Sequence, residues 1–331
     1  MELLSSSDDD LSRAAAALVN GGLVAFPTET VYGLGGDAFN VSALAKIFEA
    51  KNRPYFDPLI IHIADISSLD KLVLWEALEK KAKKKFELLT NVFWPGPLTL
   101  ILPKRPELPD LANAGLPNAA IRFPSSEIAQ KLIRLSTGAL AAPSANPFGC
   151  LSPTRAEHVV SQLGNKVDFI IDGGRTDTGL ESTVLDICRE PCRLLRPGGI
   201  SREQIEALIG PVEVIAQNQT ETTLVSPGLL KNHYAPRTAL YLYKKGELDQ
   251  LPLKQNEGRL YFSLPQKNDE LCERVKILSE RGNMVEAAAN FFDMLHELDK
   301  LGLEFIRAEE APPDGLGAAI NDRLRRAAAS N

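Results

Sequence analysis

The chain has little of what a disulfide framework, a membrane anchor or a histidine metal centre requires. Of 331 residues only four are cysteine, at positions 150, 188, 192 and 272, too few to staple a chain of this length. Cys188 and Cys192 lie four apart, but no second thiol pair and no neighbouring histidine completes a zinc site, so they read as ordinary thiols and no protein-bound zinc is expected. The four histidines are scattered at 62, 158, 233 and 296. No apolar run approaches the ~20 residues of a membrane span, and Met1 to Leu11 is polar and acidic with no signal-peptide pattern. A reduced, cytoplasmic protein without membrane contact is therefore expected. A basic surplus is missing too. With 37 Lys and Arg against 43 Asp and Glu the net charge is −6, which excludes a non-specific nucleic-acid coat and leaves room only for a local basic pocket. The phosphate-binding motif Gly-x-x-x-x-Gly-Lys-Ser/Thr, the dinucleotide motif Gly-x-Gly-x-x-Gly, His-Glu-x-x-His and Gly-x-Ser-x-Gly are all absent. A nucleotide, if one binds, is held in another way.

What is present is an alternation of short apolar runs and helical segments, in a chain long enough for two domains. Helices are expected at Leu11–Val19, Ser42–Ala50, Glu127–Leu135, Arg155–Leu163 and Ser201–Ile209, with one or two lysine-rich helices between Ser68 and Leu89. The lysines at 80, 81, 83, 84 and 85 read as a solvated face, with a tRNA contact as the minor alternative. Strands are expected at Leu23–Phe26, Leu59–Ile63, Leu98–Leu102, Ala119–Phe123, Ala139–Ala142, Asp168–Ile171, Thr183–Ile187 and Arg193–Leu195. This is the pattern of a large mixed α/β sheet rather than a repeating βαβ array. Residues 1–210 form that first unit. Residues 211–236 turn polar and carry Ser226-Pro227-Gly228, the mark of an interdomain linker. Residues 237–331 resume the alternation as a small α/β domain, with strands at Leu240–Tyr243, Arg259–Phe262 and Glu304–Arg307 and helices at Asn283–Leu301 and Gly317–Ala329.

The chemistry concentrates in polar loops at strand ends. Pro27 to Gly35 combines Thr28, Glu29 and Thr30 with glycines, which suits either a turn closing on its own hydroxyls or a loop whose backbone meets a ligand. Lys51 and Arg53 follow a helix, where they either complement its dipole or hold an anion. His62 sits in an apolar strand as a core residue or a site residue. Arg122 is a charge within a strand and needs an anionic partner. Ser144 and Asn146 are presented between two prolines, Asp172-Gly173-Gly174 and Glu181-Ser182 flank further strands, and Arg196 ends another in a tight turn. Several strand-end loops of one chemical kind, three of them carrying cations, point to a shared anion pocket.

In this order the loops resemble the threonylcarbamoyl-AMP synthase family, the YrdC-like proteins. The matching segments run from Ala25-Phe26-Pro27-Thr28-Glu29-Thr30-Val31-Tyr32-Gly33-Leu34 through Lys51-Asn52-Arg53-Pro54, Pro58-Leu59-Ile60-Ile61-His62, Trp94-Pro95-Gly96-Pro97-Leu98-Thr99, Ile121-Arg122-Phe123-Pro124, Ala142-Pro143-Ser144-Ala145-Asn146, Ile171-Asp172-Gly173-Gly174 and Glu181-Ser182-Thr183-Val184 to Leu195-Arg196-Pro197-Gly198. The later residues resemble the linker and the Rossmann-like C-terminal domain of the long form. The resemblance implies a twisted mixed sheet around a positive cavity. It implies a nucleotidyltransferase that makes threonylcarbamoyl-AMP and diphosphate from L-threonine, bicarbonate and ATP with Mg²⁺, for downstream proteins that modify tRNA. It assigns Lys51, Arg53, Ser144 and Asn146 to catalysis. It assigns Thr28, Thr30, His62, Arg122 and Ser182 to threonine, and it adds Ser152, Arg196 and Tyr234 to the catalytic four at ATP. It also implies that the linker, with His233 and Tyr234, folds over the cavity as a lid.

Overall fold

The computed structural model describes residues 1–215, 234–265 and 272–329. Fifteen strands are found among the described residues. Eleven build one sheet: β1 (Glu2–Leu4), β2 (Val24–Pro27), β3 (Tyr32–Asp37), β4 (Ile60–Ile63), β5 (Leu98–Pro103), β6 (Asn118–Arg122), β7 (Ala139–Ala141), β8 (Phe169–Ile171), β9 (Thr183–Asp186), β10 (Arg193–Arg196) and β11 (Glu213–Val214). Their spatial order is β1-β8-β2-β3-β7-β4-β6-β5-β9-β10-β11, with parallel and antiparallel neighbours mixed. The second sheet is all parallel, from β12 (Ala239–Tyr243), β13 (Glu257–Tyr261), β14 (Val275–Ile277) and β15 (Phe305–Glu309), in the order β12-β15-β13-β14. Both α/β architectures agree with the sequence reading. The expected linker, however, begins with an edge strand, because β11 pairs in parallel with β10.

The helices are fixed by their ends. The first, α1 (Asp8–Val19), starts where the Ser7 hydroxyl accepts from Asp10 N, with three aspartates in its first turn to meet the N-terminal dipole. The second, α2 (Val41–Lys51), is capped by Asn40. It ends on Asn52 at φ 51°, a left-handed residue that asparagine tolerates, so the chain turns back at once into Arg53. Ser201 and Gln204 form a reciprocal capping box at the start of Arg202–Ile209. In the second domain Met284–Asp299 and Leu316–Ala328 pack on one another and bury Phe291, Phe292, Leu295, Ile320 and Leu324 with the parallel strands.

One expectation fails instructively. Tyr32 to Gly35, a loop by its sequence, belongs to β3, antiparallel to β2. Glycine is a poor strand former, and three glycines hide this strand in the sequence. They serve close packing: a Cβ on Gly35 would come within 2.7 Å of the Phe26 ring. The short β1 was missed as well; it pairs in parallel with β8.

Candidate active site

Strand register assembles the floor of the cavity. Parallel pairing of β4 and β6 sets His62 beside Arg122, and antiparallel pairing of β5 and β6 sets Thr99 beside Arg122. Paired residues face the same side of a sheet, so these three polar groups line up across neighbouring strands while Ile61, Ile121 and Leu100 point to the core behind. The row continues into Ser182, whose hydroxyl is 2.7 Å from that of Thr99.

Loops complete the walls. Thr28, Thr30, Arg53, His62, Arg122, Ser144, Glu181, Ser182, Arg196 and Tyr234 all line one cavity. Nine of the sequence-assigned residues therefore converge. Lys51, Asn146 and Ser152 stand behind the wall instead. Lys51 is buried and donates to the carbonyls of Ser144 (2.7 Å) and Asn146 (2.5 Å), so its ammonium joins the Lys-x-Arg turn to the Ser-x-Asn loop. Burial first, and then the Arg53 charge, pulls its pKa well below the usual lysine range. The Asn146 amide donates to the carbonyls of Pro147 and Cys150, and its carbonyl oxygen has no hydrogen-bond partner among the described residues. Ser152 donates to Glu181 at 2.5 Å.

The cations differ in how they are matched. Arg53 pairs with Asp57 at 2.9 Å and donates to the carbonyls of Asp57 and Pro58; burial lowers the Arg53 pKa and raises that of Asp57. Arg122 pairs with Glu29 at 2.6 Å and donates to Thr30 Oγ1 at 2.9 Å. Arg196 has no carboxylate partner among the described residues. It donates to the Ser182 carbonyl and, at 3.2 Å, to the Ser182 hydroxyl. Its turn is held close by Gly198, where a Cβ would lie 2.4 Å from Glu181 O. The Thr28 hydroxyl is spent on its own turn, donating to Val31 O and accepting from Thr30 N and Val31 N, so the turn reading holds there while the residue also lines the cavity.

His62 is neutral at ordinary pH. Burial, and then the Arg122 charge, brings its pKa down to about 3. Its Nδ1 is 3.2 Å from the Ile60 carbonyl. A carbonyl can only accept, so that nitrogen carries the hydrogen and Nε2 keeps a lone pair.

Tyr234 reaches the cavity from the C-terminal side. Its backbone sits at φ 65°, its ring packs on Phe292 at 5.8 Å, and the Arg323 guanidinium lies 5.1 Å from the ring centroid. His233 and residues 226–232 of the expected lid lie outside the described residues. Sequence reasoning missed Asp57, Glu29 and Glu181 as the carboxylates of the site, and it missed Arg323 altogether. Asp57 could have been found, since it stands four residues after Arg53. Arg323 could not, because it meets Glu181 across 142 residues of chain. No group of three or more His, Cys, Asp or Glu side chains placed to hold a metal occurs among the described residues, and no helix there is long and apolar enough to cross a membrane.

The chain is similar to known proteins along its whole length. Residues 16–198 match a family model described as "Telomere recombination", and residues 200–329 match "Threonylcarbamoyl-AMP synthase, C-terminal domain". The chain is 43% identical to a threonylcarbamoyl-AMP synthase of Bacillus subtilis over 98% of its own length and 94% of the relative's. It is 42% identical to that of Pyrococcus abyssi over 95% and 92%. The crystal structure of P. abyssi Sua5 complexed with L-threonine superposes with a TM-score of 0.89 at 37% identity, covering 100% of this chain and 98% of that one. By fold, by site and by likeness along its whole length, the chain belongs to the threonylcarbamoyl-AMP synthase family in its two-domain form.

Proposed function

We propose that this nucleotidyltransferase makes threonylcarbamoyl-AMP by holding two anions together, with the parts of the cavity divided between them. The threonine amine attacks the carbon of carbon dioxide derived from bicarbonate, and the new carbamate oxygen attacks the α-phosphorus of ATP. Diphosphate leaves, and water is the other product of the overall reaction. Little covalent chemistry is asked of the protein. It must position the reactants and stabilise charge growing on phosphate oxygens.

The Arg122 end suits the amino acid. Its guanidinium would grip the threonine carboxylate. The Nε2 lone pair of His62 would accept a hydrogen from the substrate's ammonium or hydroxyl group, while Thr30 and Ser182 supply further hydroxyls. The Arg53 and Arg196 end suits the phosphates, with Ser144 on the wall beside them. Lys51 and Asn146 support this end by fixing the Ser144 loop, and Ser152 does so by holding Glu181. Mg²⁺ would arrive with ATP as part of the substrate, and no step depends on a metal held by side chains. Tyr234 would close the mouth and keep water from the labile adenylate. The product would then pass to the proteins that complete threonylcarbamoyladenosine in tRNA.

The observation that carries the reading is the convergence of three arginines, one neutral histidine, four serine and threonine hydroxyls and one tyrosine on a single cavity. Its test is diphosphate release that needs both threonine and bicarbonate, with threonylcarbamoyl-adenylate seen by mass spectrometry. Nucleotide binding without such release would mark a binding module. A product formed only from carbamoyl phosphate would mark a carbamoyl-transfer enzyme.

A further inference from the structure

The C-terminal domain places one fully buried charge against the catalytic domain. Arg323, on the last helix, is 0% exposed. Its Nε donates to Glu181 at 3.0 Å, and its Nη1 to the Pro197 carbonyl at 2.6 Å and to Asp322 Oδ2 at 3.0 Å; Asp322 is held in turn by Arg326 at 3.0 Å. Its guanidinium also lies over the Tyr234 ring. Glu181 is held from the other side by the Ser152 hydroxyl, and the Ser152 carbonyl in turn is 3.1 Å from His296 Nε2, again from the C-terminal domain.

The charge pattern says what this contact is for. The cavity is faced by three arginines and bordered by three carboxylates, Asp57, Glu29 and Glu181. Two carboxylates are matched within the cavity. The third, Glu181, is the chain neighbour of Ser182, on which Arg196 rests. A buried carboxylate without a partner is costly and turns to the nearest cation. Deprived of Arg323, Glu181 would find that cation in Arg196, and the cavity would lose its surplus positive charge.

We propose that Arg323 is a positioning residue that keeps the phosphate end of the cavity open by holding Glu181 away from Arg196. The C-terminal domain thus acts on the reaction through an electrostatic clamp as well as through closure of the mouth. The proposal rests on the reading of Arg196 as a phosphate contact.

The test uses the full chain and a double-mutant cycle of Arg323→Met and Glu181→Gln, read by calorimetric binding of Mg-ATP and by KM and kcat. Arg323→Met should weaken ATP about tenfold or more while the threonine KM stays within about twofold, because only one end of the cavity is affected. In the Glu181→Gln background the same substitution should cost less than about threefold, since residue 181 then carries no charge to turn to Arg196 and Asp322 keeps Arg326 as its partner. An equal ATP penalty in both backgrounds, or none in either, would overturn the proposal and leave Arg323 as packing. If Arg323→Met does not fold, Arg323→Lys decides: a cation kept against Glu181 should leave ATP binding within about threefold of the parent's, and a tenfold loss in the folded variant defeats the clamp. Arg196→Ala separates this idea from its foundation. If that variant binds ATP normally, the phosphate reading fails. If it binds ATP poorly while Arg323→Met does not, only the clamp fails.

Discussion

Both domains bury charged side chains, and they do so in opposite ways. In the small domain Glu257 is 0% exposed and lies 2.7 Å from Arg259 and 3.1 Å from Arg307. Arg259 spends its other donors on the carbonyls of Leu248 and Leu251 and on the Tyr261 hydroxyl. That cluster satisfies itself and borders no part of the substrate cavity. In the catalytic domain Arg196 is equally buried, yet among the described residues it holds only a carbonyl and a hydroxyl. Buried charge alone therefore does not mark a site. A cation left without a carboxylate on a cavity wall does, because the missing partner can be the substrate.

The contrast can be broken most sharply at Arg53. Arg53→Ala should lose activity by about a hundredfold to a thousandfold, as expected when a preorganised charged donor is removed from a reacting phosphate. It should also destabilise the fold by about 3–5 kcal/mol, because Asp57 is left buried without its partner. Adding Asp57→Asn should restore much of the stability and none of the activity, as urea unfolding and adenylate assays would show. Activity at the parent's rate would remove Arg53 from the chemistry.

Next in size is the control in the other domain. Glu257→Gln should cost about 3–5 kcal/mol of stability by uncovering two arginines, while KM for ATP and for threonine stays at the parent's value. A changed KM would mean that the small-domain cluster does communicate with the cavity. Arg196→Ala should show the converse. It loses hydrogen bonds but breaks no ion pair, so its melting temperature should move little. ATP affinity should fall about 30- to 100-fold, from a charge-assisted contact of about 2–3 kcal/mol.

The effect confined to acid pH, and absent at neutral pH, concerns His62. Its pKa is about 3 in the fold against 6.5 unperturbed, so the unfolded chain takes up a proton that the native state refuses. The stability this group contributes is complete above pH 6.5 and is lost as pH falls toward 3. Within that window it should add about 1.4 kcal/mol per pH unit to the fall in unfolding free energy. His62→Asn should flatten the profile by that amount, measured by urea unfolding at several pH values. Buried His158 and His296, at about 3 and about 4, keep part of the slope. An unchanged profile would show that His62 is not held neutral.

Much of this was legible before any coordinates. Pro27, Pro54, Pro143 and Pro197 punctuate strand and helix ends, and the polar residues beside them are the ones that reach the cavity. The loops' chemistry was readable, but which side chain faces inward was not. Lys51 and Asn146 carry strong motif signals and yet stand behind the wall, because a lysine at the last position of α2 finds two backbone carbonyls before it reaches open space. The glycine-rich β3 was hidden because local propensity argues against a strand that neighbouring strands impose.

The sequence by itself determined the two α/β domains, the family, and the residue types offered to a carbamate and a triphosphate, since hydrophobic period and turn chemistry are local properties. Only the tertiary structure decided how those charges are matched. Register set His62 beside Arg122, and a turn gave Asp57 to Arg53. A helix from the far end of the chain took Glu181, and Arg196 rests on the Ser182 carbonyl. Electrostatic pairing depends on distance through space, and separation along the chain does not encode it.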